Sequence, residues 1–153
     1  MQSEKGDGIP FAGTRTSSEA ADETEKLSSE IYDAIGINGK ASDSRPGVME
    51  CGDRDREKYF RIFHKWSFYP VSPSELAGVM ERLREQMPRQ GWKVVEYRED
   101  TSKNRNLNLT ADNDAKKASV NIVHRAKSNP PKLSLMVVTG CYQIPDGKEI
   151  QRF

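Results

Sequence analysis

Residues 58–69 read KYFRIFHKWSFY, a stretch in which the character of the side chains alternates with a period of two. One set of alternating positions is rich in large apolar side chains, and it consists of Phe60, Ile62, His64, Trp66 and Phe68. A period of two with this density of aromatic residues is typical of a β-strand that is at least half-buried. The sequence therefore predicts a long strand here, against which the neighbouring elements pack.

The segment after this strand predicts an amphipathic helix. Ser72-Pro73-Ser74-Glu75 matches a capping box, with proline at the first helical position. Pro88 and Gly91 are the expected end of the helix. The apolar stripe that follows the cap is formed by Leu76, Val79, Met80, Leu83 and Met87. We expect this stripe to face the core.

Four further strand segments and one hairpin turn are predicted downstream of this helix. Residues 92–99 alternate as one strand, and residues 106–111 and 118–125 form a hairpin around Asp112-Asn113-Asp114. Residues 133–142 are apolar on both faces, which is typical of a central strand. The same acidic turn does not continue as a calcium loop, because two lysines follow it.

Upstream of the long strand, the sequence divides into a tether, a helix and a loop. Residues 1–21 show no hydrophobic period and predict a flexible polar tether. Residues 22–35 predict a helix that ends at Gly36, and residues 38–55 predict a loop. The buried face of this helix is expected to consist of Leu27, Ile31, Ala34 and Ile35.

The order of these elements is α-β-α-β-β-β-β. Strands in sequence with two helices predict an α+β two-layer sandwich: a mainly antiparallel sheet of about four to five strands, with both helices on one face. The predicted domain covers residues 22–145, with residues 1–21 as the tether and 146–153 as a short tail.

Composition limits the class of protein without identifying an activity. The chain has 153 residues, of which 31% are charged and 35% hydrophobic, and its net charge is +1. That length fits one domain. No run approaches the roughly 18 apolar residues of a transmembrane helix, and two cysteines are too few for a disulfide-dense scaffold.

The two cysteines, Cys51 and Cys141, predict one disulfide, with two unrelated buried thiols as the alternative. Neither belongs to a C-x-x-C motif, and their spacing from His64 and His124 is not that of a zinc finger. No signal peptide is visible, so the chain is interpreted either as the mature form of an exported protein or as a cytosolic protein. The predicted tether and disulfide favour the outer face of a membrane or the extracellular space.

Common catalytic and cofactor motifs are missing from the sequence. It contains neither of the glycine-rich phosphate-binding motifs, G-x-x-x-x-G-K-[ST] and G-x-G-x-x-G. It also contains no G-x-S-x-G elbow and no H-E-x-x-H motif. We therefore predict no cofactor, no metal and no enzymatic activity. The catalytic alternative is a hydrolase or nuclease in which His64 and His124 act as acid and base, which requires them to meet around a cleft.

Two sets of residues are candidates for binding. The aromatic side chains that could line a ligand site on the sheet are Trp66, Tyr69, Trp92 and Tyr97. The basic residues that could contact an anionic lipid or cell-wall surface are Lys103, Arg105, Lys116, Lys117, Arg125, Lys127 and Lys132. Nucleic acid is disfavoured as a partner, because residues 103–132 contain no aromatic side chain for stacking on bases.

The layout of residues 25–145 resembles that of small lipoproteins exported by actinobacteria, a group without an assigned activity. The resemblance rests on the polar tether, the helix ending in Ile35-Gly36, the aromatic strand, the Ser72–Glu75 helix start, Gly91-Trp92 and Cys141. It implies a domain held off a membrane by residues 1–21, and it carries no catalytic residues over. The sequence departs from a mature lipoprotein in having no cysteine near residue 1 to take the lipid.

Three functions follow from these observations. The first is a non-catalytic exported domain, tethered to a membrane, that binds an unknown protein or envelope ligand. The second is a cytosolic protein-interaction or immunity-type module, and the third is the small secreted hydrolase or nuclease. Free, buried thiols would favour the second, and adjacent histidines would favour the third.

Overall fold

The computed structural model describes residues 8–153. Its elements in chain order are β1 (Phe11–Thr14), α1 (Ser17–Ile35), β2 (Gly39–Ala41), β3 (Gly47–Met49), β4 (Tyr59–Pro70), a 3₁₀ turn (Pro73–Glu75), α2 (Leu76–Gln86), a second 3₁₀ turn (Met87–Gln90), β5 (Lys93–Glu99), β6 (Leu107–Asn113), β7 (Ala118–Arg125), β8 (Lys132–Thr139) and β9 (Cys141–Gln143). The long predicted strand is β4, the longest strand among the described residues. Its burial alternates as the sequence indicates, with residues 60, 62, 64, 66 and 68 buried.

The nine strands of the described residues form one mixed sheet that curls into a half-barrel and carries two helices. The path runs β1-β9-β4-β8-β7-β6-β5, and β2 and β3 pair with the other edge of β4. Every pairing between these strands is antiparallel except that of β1 with β9, which is parallel. The long strand β4 thus pairs along both edges.

The predicted two-layer sandwich of about four to five strands is therefore wrong. The missing strands β1, β2, β3 and β9 are three or four residues long. Segments of that length do not show a measurable period of two, because they hold at most two residues for each face. They form because β4 and β9 offer them unpaired backbone groups.

The last strand differs from its prediction because Gly140 divides it into β8 and β9. The Thr139 hydroxyl accepts from the backbone N–H of Ile62 at 3.0 Å, in place of a ladder carbonyl, and donates to the Gly140 carbonyl. A Cβ at Gly140 would lie 2.5 Å from the carbonyl oxygen of Pro10. The absence of a side chain therefore lets the chain before β1 approach this point.

Ordered structure begins before residue 22, which is the predicted domain boundary. Residues 8–21 include β1 and the first five residues of α1, whereas residues 1–7 of the predicted tether lie outside the described residues. The helix starts early because Thr16 and Glu19 form a capping box: the Thr16 hydroxyl accepts from the Glu19 N–H at 3.1 Å, and the Glu19 carboxylate accepts from the Thr16 N–H at 2.9 Å.

The capping box predicted at Ser72–Glu75 is wrong. Residues 73–75 form a 3₁₀ turn, α2 begins at Leu76, and the Ser72 side chain makes no capping bond. The apolar stripe of α2 nevertheless faces the core, because Leu76, Val79, Met80, Leu83 and Met87 are all buried.

Both helices pack on the same face of the sheet. The main core joins the apolar stripes of α1 and α2 to inward side chains of β4, β6, β7 and β8. A smaller cluster around Phe60 and Tyr142 fills the space beneath the first turn of α1. Arg82 of α2 donates to the carbonyl of Ile35 at 2.6 Å and ties α2 to the end of α1.

Cys51 and Cys141 are joined as predicted, with 5.9 Å between their Cα atoms. The bond ties the loop after β3 to the first residue of β9. An intramolecular disulfide points to an oxidising, extracytoplasmic setting. Within residues 8–153, no helix is both long enough and apolar enough to cross a membrane.

Candidate functional site

A cleft of about 240 Å³ opens between helix α1 and the strands β2 and β4. Helix α1 forms one wall, and β2 and β4 form the other. The described residues that line it are Glu25, Ser28, Ser29, Tyr32, Ala41, Ser42, His64 and Trp66. Hydroxyl groups, one carboxylate and aromatic rings therefore face a common space.

The wall contributed by α1 has a simple sequence basis. Glu25, Ser28, Ser29 and Tyr32 fall at i, i+3, i+4 and i+7, which places them along one side of a helix. This polar and aromatic stripe lies beside the apolar stripe that packs into the core. The apolar stripe alone does not indicate a cleft, so the site was missed from sequence. The spacing of the second stripe was the signal that could have indicated it.

His64 lies on the buried face of β4 with both ring nitrogens close to partners. Its Nδ1 lies 2.8 Å from the hydroxyl of Ser28, and its Nε2 lies 3.0 Å from the backbone carbonyl of Ser44. A carbonyl can only accept, so the Nε2 hydrogen donates to Ser44. In the neutral ring Nδ1 then accepts from Ser28, and the bond joins α1 to the sheet at the base of the cleft.

Trp66 is the next inward residue of β4 and differs from His64 in having an unsatisfied group. The residue is only 5% exposed, and the indole N–H has no hydrogen-bond partner among the residues that the structure describes. Its ring lies 6.3 Å from that of Tyr32 and 6.3 Å from that of His64, measured between ring centroids. A buried donor without an acceptor costs about 1–3 kcal/mol, which is an unusual feature for a side chain beside a cleft.

The charge of the cleft comes from one residue. Glu25 is the only acidic side chain among the described lining residues, and that lining includes no lysine or arginine. Tyr32 lies beside Trp66, with 6.3 Å between the ring centroids, and the residue is 40% exposed. The cleft therefore offers an aromatic surface and a carboxylate acceptor, with the shielded indole N–H of Trp66 beside it and no positive charge to attract an anion.

The pair of Ser28 and His64 has the contact of a nucleophile with its base but lacks the other parts of an acyl-transfer site. Ser28 lies inside the 19-residue helix α1, where backbone N–H groups bond along the helix. Those groups are not available as an oxyanion hole. The group that orients His64 is a neutral backbone carbonyl, whereas the usual triad has a carboxylate.

The two histidines of the hydrolase hypothesis are not brought together. His64 pairs with Val137 and His124 with Leu133, on opposite edges of β8. Both side chains face the helix-covered side, but they are separated by about 13 Å along the strand and about 10 Å across it. His124 is half-buried, and that burial lowers its pKa.

Of the four predicted ligand-face aromatics, the structure places Trp66 in the cleft and the other three elsewhere. Trp92 is buried in the main core. Tyr97 donates to the Glu81 carboxylate at 2.8 Å, with the guanidinium of Arg84 4.6 Å from its ring centroid. Burial and the bond to Glu81 raise the pKa of Tyr97 to about 12.

The fourth aromatic residue, Tyr69, lies outside the cleft lining. It is 36% exposed, and its ring centroid lies 5.7 Å from the Lys132 ammonium. Its exposure is close to that of Tyr32, which makes it a useful reference for the cleft tyrosine.

The predicted basic surface is divided between two ends of the sheet. The β6–β7 and β7–β8 connections lie at opposite ends because the strands are antiparallel. Lys116 and Lys117 lie at the β6–β7 end. The remaining basic residues lie at the other end, in or beside the loops before β6 and β8: Lys103, Arg105, Arg125, Lys127 and Lys132.

Among the described residues no cluster of three or more histidine, cysteine, aspartate or glutamate side chains could hold a metal ion. Comparison with protein-family models, with curated proteins and with solved structures gives no match to this chain. The site is therefore interpreted from its own geometry.

Proposed function

We propose that the protein is a non-catalytic exported domain, tethered to the outer face of a membrane through sequence before β1, that binds an envelope ligand in the cleft between α1 and β4. The observation that carries the proposal is the buried indole N–H of Trp66, which lacks an acceptor beside a cleft open to solvent. A bound ligand would supply that acceptor.

The lining also favours binding over catalysis. Ligand sites typically combine apolar and aromatic walls with a few polar groups that fix orientation, and Tyr32, Trp66 and Glu25 provide that combination. The bond between Ser28 and His64 holds the base of the cleft in place. The disulfide supports export, because such bonds persist in oxidising compartments.

The proposal is tested by sedimenting the purified protein with the washed envelope fraction of the producing organism. We expect the wild type to co-sediment at both physiological and high ionic strength, because the cleft carries little charge. Tyr32→Ala should strongly reduce co-sedimentation. Tyr69→Ala, which removes an aromatic ring of similar exposure outside the cleft, should leave it unchanged.

Equal loss in the two variants, or loss in high salt alone, would contradict binding in the cleft. The second result would instead assign the envelope contact to the basic residues at the two ends of the sheet.

A separate measurement addresses catalysis. Intact mass after incubation with a fluorophosphonate, which modifies activated serine hydroxyls, should be unchanged. A mass increase that disappears in Ser28→Ala would show that Ser28 is a nucleophile and would overturn the non-catalytic assignment.

A further inference from the structure

The donors and acceptors of the cleft restrict the chemistry of its ligand. The indole N–H of Trp66 requires an acceptor, and the Glu25 carboxylate accepts hydrogen bonds. Hydroxyl groups satisfy both, because each donates one hydrogen and also accepts. An ammonium ion would satisfy Glu25 but would leave the indole N–H unpaired.

The negative charge of Glu25 excludes anionic ligands. A phosphate or carboxylate would approach Glu25 with no lysine or arginine among the described lining residues to offset the repulsion. Anion sites in proteins use arginine, lysine or clustered backbone N–H groups. The ligand that matches this lining is uncharged and carries several hydroxyl groups.

The size and shape of the cleft further restrict which ligands fit. Clefts for drug-sized molecules measure about 300–1,000 Å³, so a volume of about 240 Å³ suits a single small ring. The ring of Tyr32, a residue that is 40% exposed, is the flat apolar group available to the C–H face of such a ring. The cleft is open to solvent, which leaves space for a chain to continue from the bound ring.

We infer that the cleft binds one uncharged sugar ring of an envelope polysaccharide, stacked on Tyr32, with a hydroxyl on Glu25 and an oxygen accepting from the indole N–H of Trp66. The inference rests on the proposed function and specifies its ligand. The indole nitrogen is shielded in the free protein, so binding requires a neighbouring side chain to move. Tyr32 contacts the indole and is 40% exposed, which makes its ring the side chain best placed to rotate.

The test follows the indole N–H signals in ¹⁵N-labelled protein. The chain has two tryptophans, so Trp66→Phe assigns both resonances. D-glucose and N-acetyl-D-glucosamine are the neutral probes, choline is the cationic probe and D-glucuronate is the anionic probe. We expect a neutral sugar to shift the Trp66 resonance saturably, with the Trp92 resonance unchanged because Trp92 is buried in the main core.

Two variants and one control variant check the assigned contacts. Tyr32→Ala should weaken the binding of the sugar by about fivefold or more, whereas Tyr69→Ala should not. Glu25→Gln removes the negative charge at a partly exposed position, where folding is not at risk, and should bring the affinity for D-glucuronate close to that for D-glucose.

The possible failures are distinguishable. If neither sugar shifts the Trp66 resonance, or if choline alone shifts it, the sugar inference is overturned. If envelope co-sedimentation still depends on Tyr32 in that case, the proposed function stands with a different ligand. If co-sedimentation is also independent of Tyr32, both are overturned.

Discussion

His64 is a buried histidine whose two ring nitrogens are both satisfied, one by Ser28 and one by the Ser44 carbonyl. Ser28→Ala removes one partner and leaves Nδ1 buried without a hydrogen bond. We expect the free energy of unfolding to fall by about 1–3 kcal/mol in urea titrations. The control is Ser29→Ala, at an exposed position one residue along, which should change it by less than about 0.5 kcal/mol. Equal effects would mean that the bond to His64 contributes nothing.

The ionisation of Tyr97 makes the stability of the folded state depend on pH in the alkaline range. Its pKa is raised to about 12 by burial and by its bond to Glu81, against an ordinary value near 10. The folded state therefore holds the phenolic proton more tightly than the unfolded state. The stabilisation is complete below about pH 10 and is lost as the pH rises towards 12.

An absorbance titration of tyrosinate should contain a step above the ordinary tyrosine pKa of about 10, to which Tyr97 contributes. Tyr97→Phe should remove its share of that late step, to which Tyr142 also contributes because burial raises its pKa, and should flatten the fall in melting temperature above pH 10. Glu81→Gln should move the step to lower pH, because it removes the charge that opposes ionisation. A late step that is unchanged in Tyr97→Phe would contradict the bond to Glu81.

At the scale of an element, the two helix starts show that a capping-box sequence does not by itself form the capping bonds. Ser72-Pro73-Ser74-Glu75 has the pattern of a capping box without its bonds, whereas Thr16 and Glu19 form one ahead of residue 22, where the apolar period predicts the helix to start. The pattern specifies which bonds are possible. The backbone around it decides whether the hydroxyl reaches the N–H, and distant packing determines that backbone.

Removing the hydroxyl of Thr16 and that of Ser72 in separate variants measures what each contributes to the free energy of unfolding. Thr16→Ala should lower the free energy of unfolding by about 1 kcal/mol, because it leaves the N–H of Glu19 without its acceptor. Ser72→Ala should leave the free energy unchanged within about 0.5 kcal/mol, since its side chain makes no capping bond. Denaturant titrations of the two variants compare them directly. The reverse order would show that the Ser72 box forms in solution.

The junction between β8 and β9 depends on a residue without a side chain. Alanine at residue 140 would place a Cβ 2.5 Å from the Pro10 carbonyl oxygen, a backbone atom that cannot move alone. We expect Gly140→Ala to destabilise the protein by about 1–3 kcal/mol, measured by urea titration.

Gly78→Ala is the matched control, because a Cβ at this position of α2 would have no other atom within 4 Å outside its own stretch of helix. It should stabilise the protein by about 0.5–1 kcal/mol. Effects of the same sign in the two variants would contradict the close approach of Pro10 to residue 140.

At the scale of the whole molecule, the sequence predicts the long elements and not their assembly. The period of β4 and the stripes of α1 and α2 are local, so the residues that they bury can be identified without a structure. Which strands meet is a long-range property: β1 joins β9 although nearly the whole described chain separates them. The cleft has the same character, because its two walls come from α1 and from strands further along the chain. Each wall can be identified in sequence, but their juxtaposition cannot.

The disulfide constrains the whole molecule, because Cys51 and Cys141 are 90 residues apart. Closing so long a loop restricts the unfolded chain, so reduction should lower the free energy of unfolding by about 2–5 kcal/mol. Cys51→Ala/Cys141→Ala should match the reduced wild type and should no longer respond to reductant. Intact mass after alkylation under denaturing conditions should show two labels only after reduction. Two labels without reduction would remove the argument for an oxidising compartment, and with it the support for an exported domain over a cytosolic interaction module.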